Sequence, residues 1–338
     1  MPQVVKLIND MLNNKTVLIT GGTGSFGQKF SQIILKKFPD IHKVIVFSRD
    51  EYKQFLMQNS SEFQAYLKKM RFFIGDVRDK ERLKMAMNQV HVVVHAAALK
   101  QVSSCEYNPF EAIKTNIVGA QNIIEAAISS GVSKVVALST DKACAPVNLY
   151  GATKLCSDKL FIAGNAYCSD NAAIFSVVRY GNVAGSRGSV IPFFKKLRDE
   201  GATKFPITDF RMTRFWLKLE QAVEMVLTAI ERMRGGELFV RKIPSMKIID
   251  LARAIAPDVE IEEVGIRPGE KVHEQMITKE DARNTLELKD YFVILPENNN
   301  EWLSCDNGNR VAEDFEYSSG SNTWWLTKDE MRKLVEKI

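Results

Sequence analysis

Short β-branched runs alternating with amphipathic stretches as far as Tyr180 predict an α/β chain: a doubly wound parallel sheet with a smaller C-terminal lobe. A glycine-rich turn that follows the first run and opens the first amphipathic stretch points the same way. So does size: 338 residues, 45% hydrophobic and 26% charged, suffice for one large domain or two closely associated ones with a sizeable core.

Val4, Val5, Leu7, Ile8, Met11 and Leu12 recur at helical spacing, which predicts an N-terminal helix docked on the body or on another subunit. Thr16 to Thr20, Lys43 to Ser48, Arg71 to Ile74, His91 to Ala96, Lys134 to Thr140 and Ile174 to Tyr180 are nearly continuous apolar runs, as expected of parallel strands covered on both faces. Between them Phe26 to Lys37, Lys80 to Asn88, Pro109 to Ser129 and Tyr150 to Ala163 have the length and periodicity of crossover helices. After Arg179-Tyr-Gly-Asn182 the rhythm breaks, with a Gly/Ser/Arg-rich loop from Gly185 to Ser189, a short helix from Pro192 and irregular segments around Pro206 and Arg211. Gln221 to Arg232 reads as a helix and Glu237 to Ile243 as a strand returning to the sheet. Thr327-Lys-Asp-Glu330 is a capping box that opens a final helix.

The formal charge of +5 is modest and its Lys and Arg are spread without blocks, so no nucleic-acid partner is indicated and an anionic small molecule suits the chain equally well. Five cysteines, Cys105, Cys144, Cys156, Cys168 and Cys305, form an odd set without a CxxC pair; this pattern predicts reduced thiols, a cytoplasmic location and no metal site. Cys144 reads as small buried filler. No apolar run approaches the ~20 residues of a membrane span, so no membrane partner is expected.

Gly21, Gly22, Thr23, Gly24, Ser25, Phe26 and Gly27 form the glycine turn. Glycines there turn the chain tightly and let N–H groups at a helix N-terminus approach a pyrophosphate, which predicts a Rossmann-type dinucleotide site. Ser48, Arg49 and Asp50 end the second strand, where the residue facing the adenosine ribose selects the cofactor. The Asp50 carboxylate would repel a 2′-phosphate and the Arg49 guanidinium would hold one; with Ser48 and Lys53 as added donors the balance favours NADP over NAD. Asp76 after the third strand suits an adenine amino group or a loop cap, and Ala96-Ala97-Ala98 after the fourth leaves room for a ring or is plain packing. The expected division is a dinucleotide-binding domain over 1–183, rejoined by 219–250, and a substrate-binding lobe over 184–218 and 251–338.

Thr140-Asp141-Lys142 closes the fifth strand, and Tyr150 and Lys154 follow, four residues apart on one helical face. Lys154 can lower the phenol's pKa, making Tyr150 a base for a hydroxyl that is to be oxidised. A simple alcohol dehydrogenase needs only this pair. Asp141 and Lys142 add an acid and an amine base, as required when hydride transfer is coupled to proton removal at carbon and loss of a leaving group. Lys142 can be that base only if neighbouring cations and burial lower its pKa. The plainer alternative is an ion pair at the rim.

With the glycine turn, the YxxxK pair resembles the extended short-chain dehydrogenase/reductases. Further segments are similar to the soluble, inverting UDP-N-acetylglucosamine 4,6-dehydratases over nearly the whole chain: Ser48-Arg-Asp-Glu51, Phe73-Ile-Gly-Asp-Val-Arg-Asp79, His95-Ala-Ala-Ala-Leu-Lys100, Ser139-Thr-Asp-Lys142, Asn148-Leu-Tyr-Gly-Ala-Thr-Lys154, Ser186-Arg-Gly-Ser-Val190, Arg211-Met-Thr-Arg-Phe-Trp216 and Ile266-Arg-Pro-Gly-Glu-Lys271. The resemblance implies tightly held NADP and a UDP-sugar substrate. It implies C4 oxidation, elimination of water across C5 and C6, and hydride return to C6, giving UDP-2-acetamido-2,6-dideoxy-β-L-arabino-hex-4-ulose for pseudaminic acid and related L-sugars. By the same resemblance Asp141 is the acid, Lys142 the C5 base, Tyr150 the C4 hydroxyl base and Thr140 a substrate-orienting group. Val77, Lys100 and Asn116 join the cofactor contacts. Lys100, Asn182, Ser189, Val190, Lys195, Thr208, Met212, Arg211, Arg267 and Glu270 join the substrate contacts. A homo-oligomer, a hexamer or smaller ring, is implied as well. The chain departs from the family at Gln101-Val-Ser-Ser-Cys-Glu106 (a His-Val-Pro type segment), Ala145 (Asn) and Lys218 (Thr), all on the expected substrate side. Three alternatives remain open: the retaining dehydratase, a UDP-sugar 4-epimerase and a non-catalytic NADP-sensing protein.

Overall fold

The computed structural model describes residues 10–168, 173–184, 190–296 and 308–336. Val4, Val5, Leu7 and Ile8 of the expected N-terminal helix lie outside them, while Leu12 is fully buried in the core.

The six expected strands form as β1 (Thr16–Thr20), β2 (Lys43–Ser48), β3 (Met70–Ile74), β4 (Val92–His95), β5 (Lys134–Thr140) and β6 (Ile174–Tyr180). All of β1 is buried, as its unbroken apolar sequence requires. Then β7 (Asn182–Val183), β8 (Lys204–Ile207) and β9 (Thr213–Leu217) lead into the second lobe, and β10 (Leu238–Arg241) pairs parallel to β6. The strands β11 (Ser245–Lys247), β12 (Glu260–Glu263) and β13 (Gln275–Ile277) follow, then β14 (Thr285–Glu287), β15 (Tyr291–Ile294), β16 (Asn309–Arg310) and β17 (Tyr317–Ser318). Ten of these make one sheet in the order β16-β14-β15-β10-β6-β5-β4-β1-β2-β3. From β3 to β10 every pairing is parallel; β15, β14 and β16 extend the edge antiparallel.

The sequence-based division placed 251–338 wholly in the second lobe, whereas β14 to β16 lie in the large sheet. Leu286 and Val293, fully buried there, join the same core cluster as Val17 and Phe30. These strands are only two to four residues long, too short for periodicity to reveal them.

Helices cover both faces: α1 (Ser25–Lys37) lies on one, α2 (Lys80–Met87), α3 (Gly119–Ser129) and α4 (Leu149–Gly164) on the other, and α5 (Leu219–Arg232) back on the first. The expected single helix from Pro109 to Ser129 is instead Pro109–Ile113, a π turn over Lys114–Val118, and α3. This wide turn points Thr115 and Asn116 inward. A separate core of Ile191, Phe194, Phe205, Trp216, Leu251 and Met331 builds the second lobe. Its last helix, Lys328–Glu336, opens with the expected capping box, Thr327 and Glu330 each accepting the other's backbone N–H. Strand order reverses between β1 and β4, so the crevice opens at the C-terminal ends of these strands, facing the second lobe.

Candidate active site

That crevice is a cleft of about 1440 Å³, large for one small ligand and roomy enough for a dinucleotide beside a second nucleotide. One wall is the glycine turn. Gly21 has φ +65°, and a Cβ there would press within 2.9 Å of the Ala97 nitrogen, so the turn and the Ala96-Ala97 segment close up only on glycine. α1 begins after Gly24 with no side-chain cap and no acidic residue in its first turn, leaving its N-terminal N–H groups for an anion. Gly21, Thr23, Gly24, Ser25, Phe26 and Gly27 all line the cleft, as do Ser48, Arg49, Asp50, Lys53, Asp76, Val77, Ala96, Ala97 and Lys100. These residues fit a dinucleotide.

Around the adenosine end, Thr23 Oγ1 and Ser48 Oγ are 2.8 Å apart. Asp50 caps the helix Glu51–Gln58, accepting from the Lys53 N–H at 2.9 Å, and its carboxylate also pairs with the Lys53 ammonium. Arg49 is more than half exposed and reaches Asp76 at 3.5 Å. Burial pushes the Asp76 carboxyl up, but hydrogen bonds from Arg78 and the charges of Arg78 and Arg49 prevail and hold it below the usual range.

β5 ends at Thr140, whose hydroxyl caps a single 3₁₀ turn, Asp141–Ala143, by accepting the Lys142 N–H at 3.3 Å. The strand therefore stops before its alternation would separate the two side chains. Asp141 is fully buried, and its Oδ1 accepts from Thr140 Oγ1 at 3.0 Å and from Lys142 Nζ at 3.1 Å, while Oδ2 makes no hydrogen bond. Lys142 Nζ also lies 3.3 Å from Glu274 Oε1 and 3.3 Å from Asn182 Oδ1. α4 starts at Asn148, which caps Gly151 at 2.8 Å and donates to the Gly269 carbonyl at 2.8 Å; Glu106 accepts from the Leu149 N–H at 2.7 Å. A Cβ at Gly151 would land on the Lys142 carbonyl oxygen, so only glycine lets the helix carrying Tyr150 and Lys154 pack on the Asp141–Lys142 turn.

Electrostatics follow from this packing. Burial raises the Asp141 carboxyl, opposed by Lys142 and reinforced by Glu274. Burial alone would lower the Lys142 ammonium, but Asp141 and Glu274 outweigh it and its Arg214 neighbour, so Lys142 is held above its ordinary value. The condition set for a lysine base, neighbouring cations that lower it, is not what surrounds Lys142: two carboxylates dominate. Burial also pushes Tyr150 up to about 12, with Lys142 and a Thr140 hydrogen bond pulling the other way. Lys154 does not govern the phenol as expected; its own ammonium is lowered by burial, with Asp158 opposing.

Thr140, Lys142, Tyr150, Lys154, Lys100, Asn182, Val190, Thr208, Met212, Arg267 and Glu270 line the cleft. Ser189 lies outside the described residues. Four expected residues are placed elsewhere. Asn116 does not line the cleft: its amide bonds both backbone groups of Leu99 at 2.9 Å and reaches Thr153 at 3.0 Å, tying the Leu99 segment to α4. Lys195 does not line the cleft, whereas the next residue of that helix, Lys196, does. Asp141 lies behind the wall, touching the cleft only through Thr140 and Lys142. Arg211 is 74% exposed and paired with Asp209 at 2.6 Å. Sequence reasoning gave no individual role to Glu106, Arg214, Trp216, Lys271 and Glu274, which also line the cleft. The first four lie in segments singled out for other residues; Glu274 lies in none, and its signal was a carboxylate beside the apolar Met276-Ile277, which becomes 3% exposed. Among the described residues no group of His, Cys, Asp and Glu could hold a metal ion, and no helix is long and apolar enough to cross a membrane.

A doubly wound sheet, a glycine turn with an open helix N-terminus and a Tyr/Lys pair on the cleft define an extended short-chain dehydrogenase/reductase. The chain belongs, within that class, to the family described as polysaccharide biosynthesis protein, which it matches over residues 17–296. It is 53% identical over 335 residues to the inverting UDP-N-acetylglucosamine 4,6-dehydratase of Campylobacter jejuni, covering 96% of this chain and 98% of that one. A Rickettsia akari protein named UDP-glucose 4-epimerase is 41% identical over 334 residues, 96% of each chain. The X-ray structure of Pen from Bacillus thuringiensis superposes with a TM-score of 0.87 at 39% identity, covering 96% of this chain and 98% of that one.

Proposed function

We propose that the chain is an inverting UDP-N-acetylglucosamine 4,6-dehydratase dependent on NADP. The observation that carries this is the Asp141–Lys142 contact of 3.1 Å placed beside Tyr150 and Lys154 at the end of β5, an acid and a base beyond what a redox reaction uses. The 53% identity to the Campylobacter enzyme supports it.

A nicotinamide held by the glycine turn and the Ala96-Ala97 segment would supply the acceptor for the C4 hydride and the donor that gives it back at C6. Tyr150 takes the C4 hydroxyl proton as a phenolate, the form that Lys142 and the Thr140 hydrogen bond favour against burial. The new ketone acidifies C5–H. Lys142 Nζ takes that proton as a neutral amine, and Asp141, which does not reach the cleft itself, passes its proton through the Thr140 hydroxyl 3.0 Å away to the C6 hydroxyl, which leaves as water. Moving one proton along the 3.1 Å bond from Lys142 to Asp141 creates both reactive forms at once. A substrate that fills the cleft and excludes water favours that neutral pair. The two protons taken, from O4 and C5, balance the two given, to water and back to C5. Lys100, Asn182, Val190, Thr208, Met212, Arg267 and Glu270 hold the UDP-sugar, the cations facing its diphosphate.

NADP is favoured because Asp50, already engaged by a helix N-terminus and Lys53, presents little uncompensated charge to a 2′-phosphate, while Arg49 has reach. Arg49→Ala is expected to weaken NADP binding about ten- to a hundredfold with little effect on NAD, by titration of stripped enzyme. The reading includes a cytoplasmic homo-oligomer, a hexamer checked by light scattering, supplying pseudaminic acid synthesis; the four described cysteines are free thiols. The residues 1–183 and 219–250 serve the cofactor and the remainder chiefly the sugar.

Incubation with UDP-N-acetylglucosamine followed by mass spectrometry tests the reaction: a product lighter by one water is expected, and an unchanged mass sinks it. The unchanged mass is the outcome for a 4-epimerase, the reading favoured by the Rickettsia akari relative. Product NMR in heavy water then reports C5, where an uninverted centre marks the retaining enzyme.

A further inference from the structure

Lys142 has three N–H bonds and three oxygens to receive them: Asp141 Oδ1 at 3.1 Å, Glu274 Oε1 at 3.3 Å and Asn182 Oδ1 at 3.3 Å. Asp141 and Asn182 come from the ends of β5 and β7. Glu274 is the residue just before β13, far along the chain, and it is rigidly placed. Its N–H donates to Ser319 Oγ at 2.9 Å, its carbonyl accepts from the Ser319 N–H at 2.7 Å, and its side chain is 4% exposed. The same Oε1 lies 3.6 Å from Arg214 Nε. Arg214 is fixed in turn by donating to the carbonyls of Thr213 at 2.7 Å and Val272 at 3.1 Å. One buried carboxylate oxygen is thus shared between a cation that must lose its proton and a cation that never does.

We propose that Glu274 is a positioning residue for Lys142, and that Arg214, by competing for the same oxygen, sets how firmly Lys142 keeps its proton. The inference rests on Lys142 acting at C5. Glu274 aims the Nζ from the start of β13, and its charge opposes release of the proton; Arg214 draws off part of that charge. The other charged or titratable groups facing the pair are Asp141 and Tyr150 from the first lobe, Lys100 beside the cleft, and Lys271, which faces Glu274. Tyr150, Lys100 and Lys271 are unchanged in the variants below; Asp141 titrates together with the pair, so the Lys142 midpoint reports all three groups together.

The test is trace acetylation of the holoenzyme with acetic anhydride across pH. Lys142, lining the cleft at 24% side-chain exposure, is followed by peptide mass spectrometry, with the other lysine peptides of the same digest as reference. Glu274→Gln is expected to move the Lys142 midpoint to lower pH by about 1 to 3 units, Arg214→Gln to move it higher, and Glu274→Asp, which keeps the charge, to leave it near wild type. With UDP-N-acetylglucosamine, Glu274→Gln lowers kcat more than it raises KM, and Glu274→Asp recovers part of the loss. Coincident midpoints in all four proteins overturn the proposal, as does a shift of the same sign in Glu274→Gln and Arg214→Gln. Should Glu274→Gln fail to fold, the direction of the Arg214→Gln shift decides alone. A wild-type enzyme that releases no water refutes the dehydratase reading instead, and leaves the labelling result standing.

Discussion

Two side chains that touch at 3.1 Å carry opposite protonation problems: Asp141, fully buried, is pushed toward its neutral form, while Lys142 is pinned as an ammonium by two carboxylates. Lys142→Met removes the amine and keeps the stem. It is expected to retain bound cofactor and substrate affinity while kcat for water loss falls by about a hundred- to ten-thousandfold, checked by product mass at saturating substrate. An unchanged rate removes Lys142 from the mechanism. Cys144, one turn further on, illustrates burial without chemistry. It is 2% exposed and burial pushes its thiol up to about 11. Because only the thiolate reacts, native enzyme at pH 8 is expected to take up a thiol reagent at exposed Cys156 and not at Cys144, read by peptide mapping. At this scale the sequence displayed the residue types but not their company. Glu274 is 132 positions beyond Lys142 (274 − 142) and meets it only because the fold brings β13 against the turn after β5. Asn116 and Lys195 failed as contacts because a side chain's direction within a π turn or a helix is not visible in spacing alone.

The element that matters most is the turn joining β5 to α4. It ends at Ala145, an exposed residue with φ 43°, a left-handed conformation that costs an alanine about 1 kcal/mol and that asparagine tolerates. The family's usual Asn at this position thus has a backbone reason. Ala145→Asn is expected to raise stability by about 1 kcal/mol, measured by urea unfolding of the holoenzyme, with kcat unchanged. Gly151→Ala tests the same junction from the helix side. The added methyl has no room against the Lys142 carbonyl, so the turn or the helix must move, and kcat is expected to fall by about a hundredfold or more while the cofactor stays bound. The strands β1, β2, β5 and β6 and the helix opened by Thr327 were legible because each writes its own local signal, an apolar run or a capping box. The short strands β14 to β16 write none; edge pairing alone makes them strands.

In the whole molecule the central sheet carries a titratable group at its heart. His95 ends β4, hydrogen-bonds Thr20 of β1 at 2.8 Å, and is driven by burial, with Lys154 adding to it, down to about 3. An unfolded histidine takes a proton near 6.5 and the folded one does not until about 3, so the unfolded state binds more protons between those values. Stability from this site is therefore complete above about pH 6.5 and falls as pH drops toward 3, with a limiting slope of about 1.4 kcal/mol per unit. Thermal melts from pH 7 to 4 should show this decline, and His95→Gln should flatten it; an equal slope in both proteins would show that other groups dominate acid unfolding.

Local sequence determined the class of fold, the cofactor turn and the Thr140, Asp141, Lys142, Tyr150, Lys154 set, because each depends on residues within one strand, one turn or one helix. Tertiary structure alone decided that Asp141 sits behind the cleft wall, that Lys142 is held as an ammonium, and that Glu274 and Arg214 share one oxygen beside it. Those outcomes depend on burial and on charges brought together from distant segments, and Coulomb interactions act through space rather than along the chain.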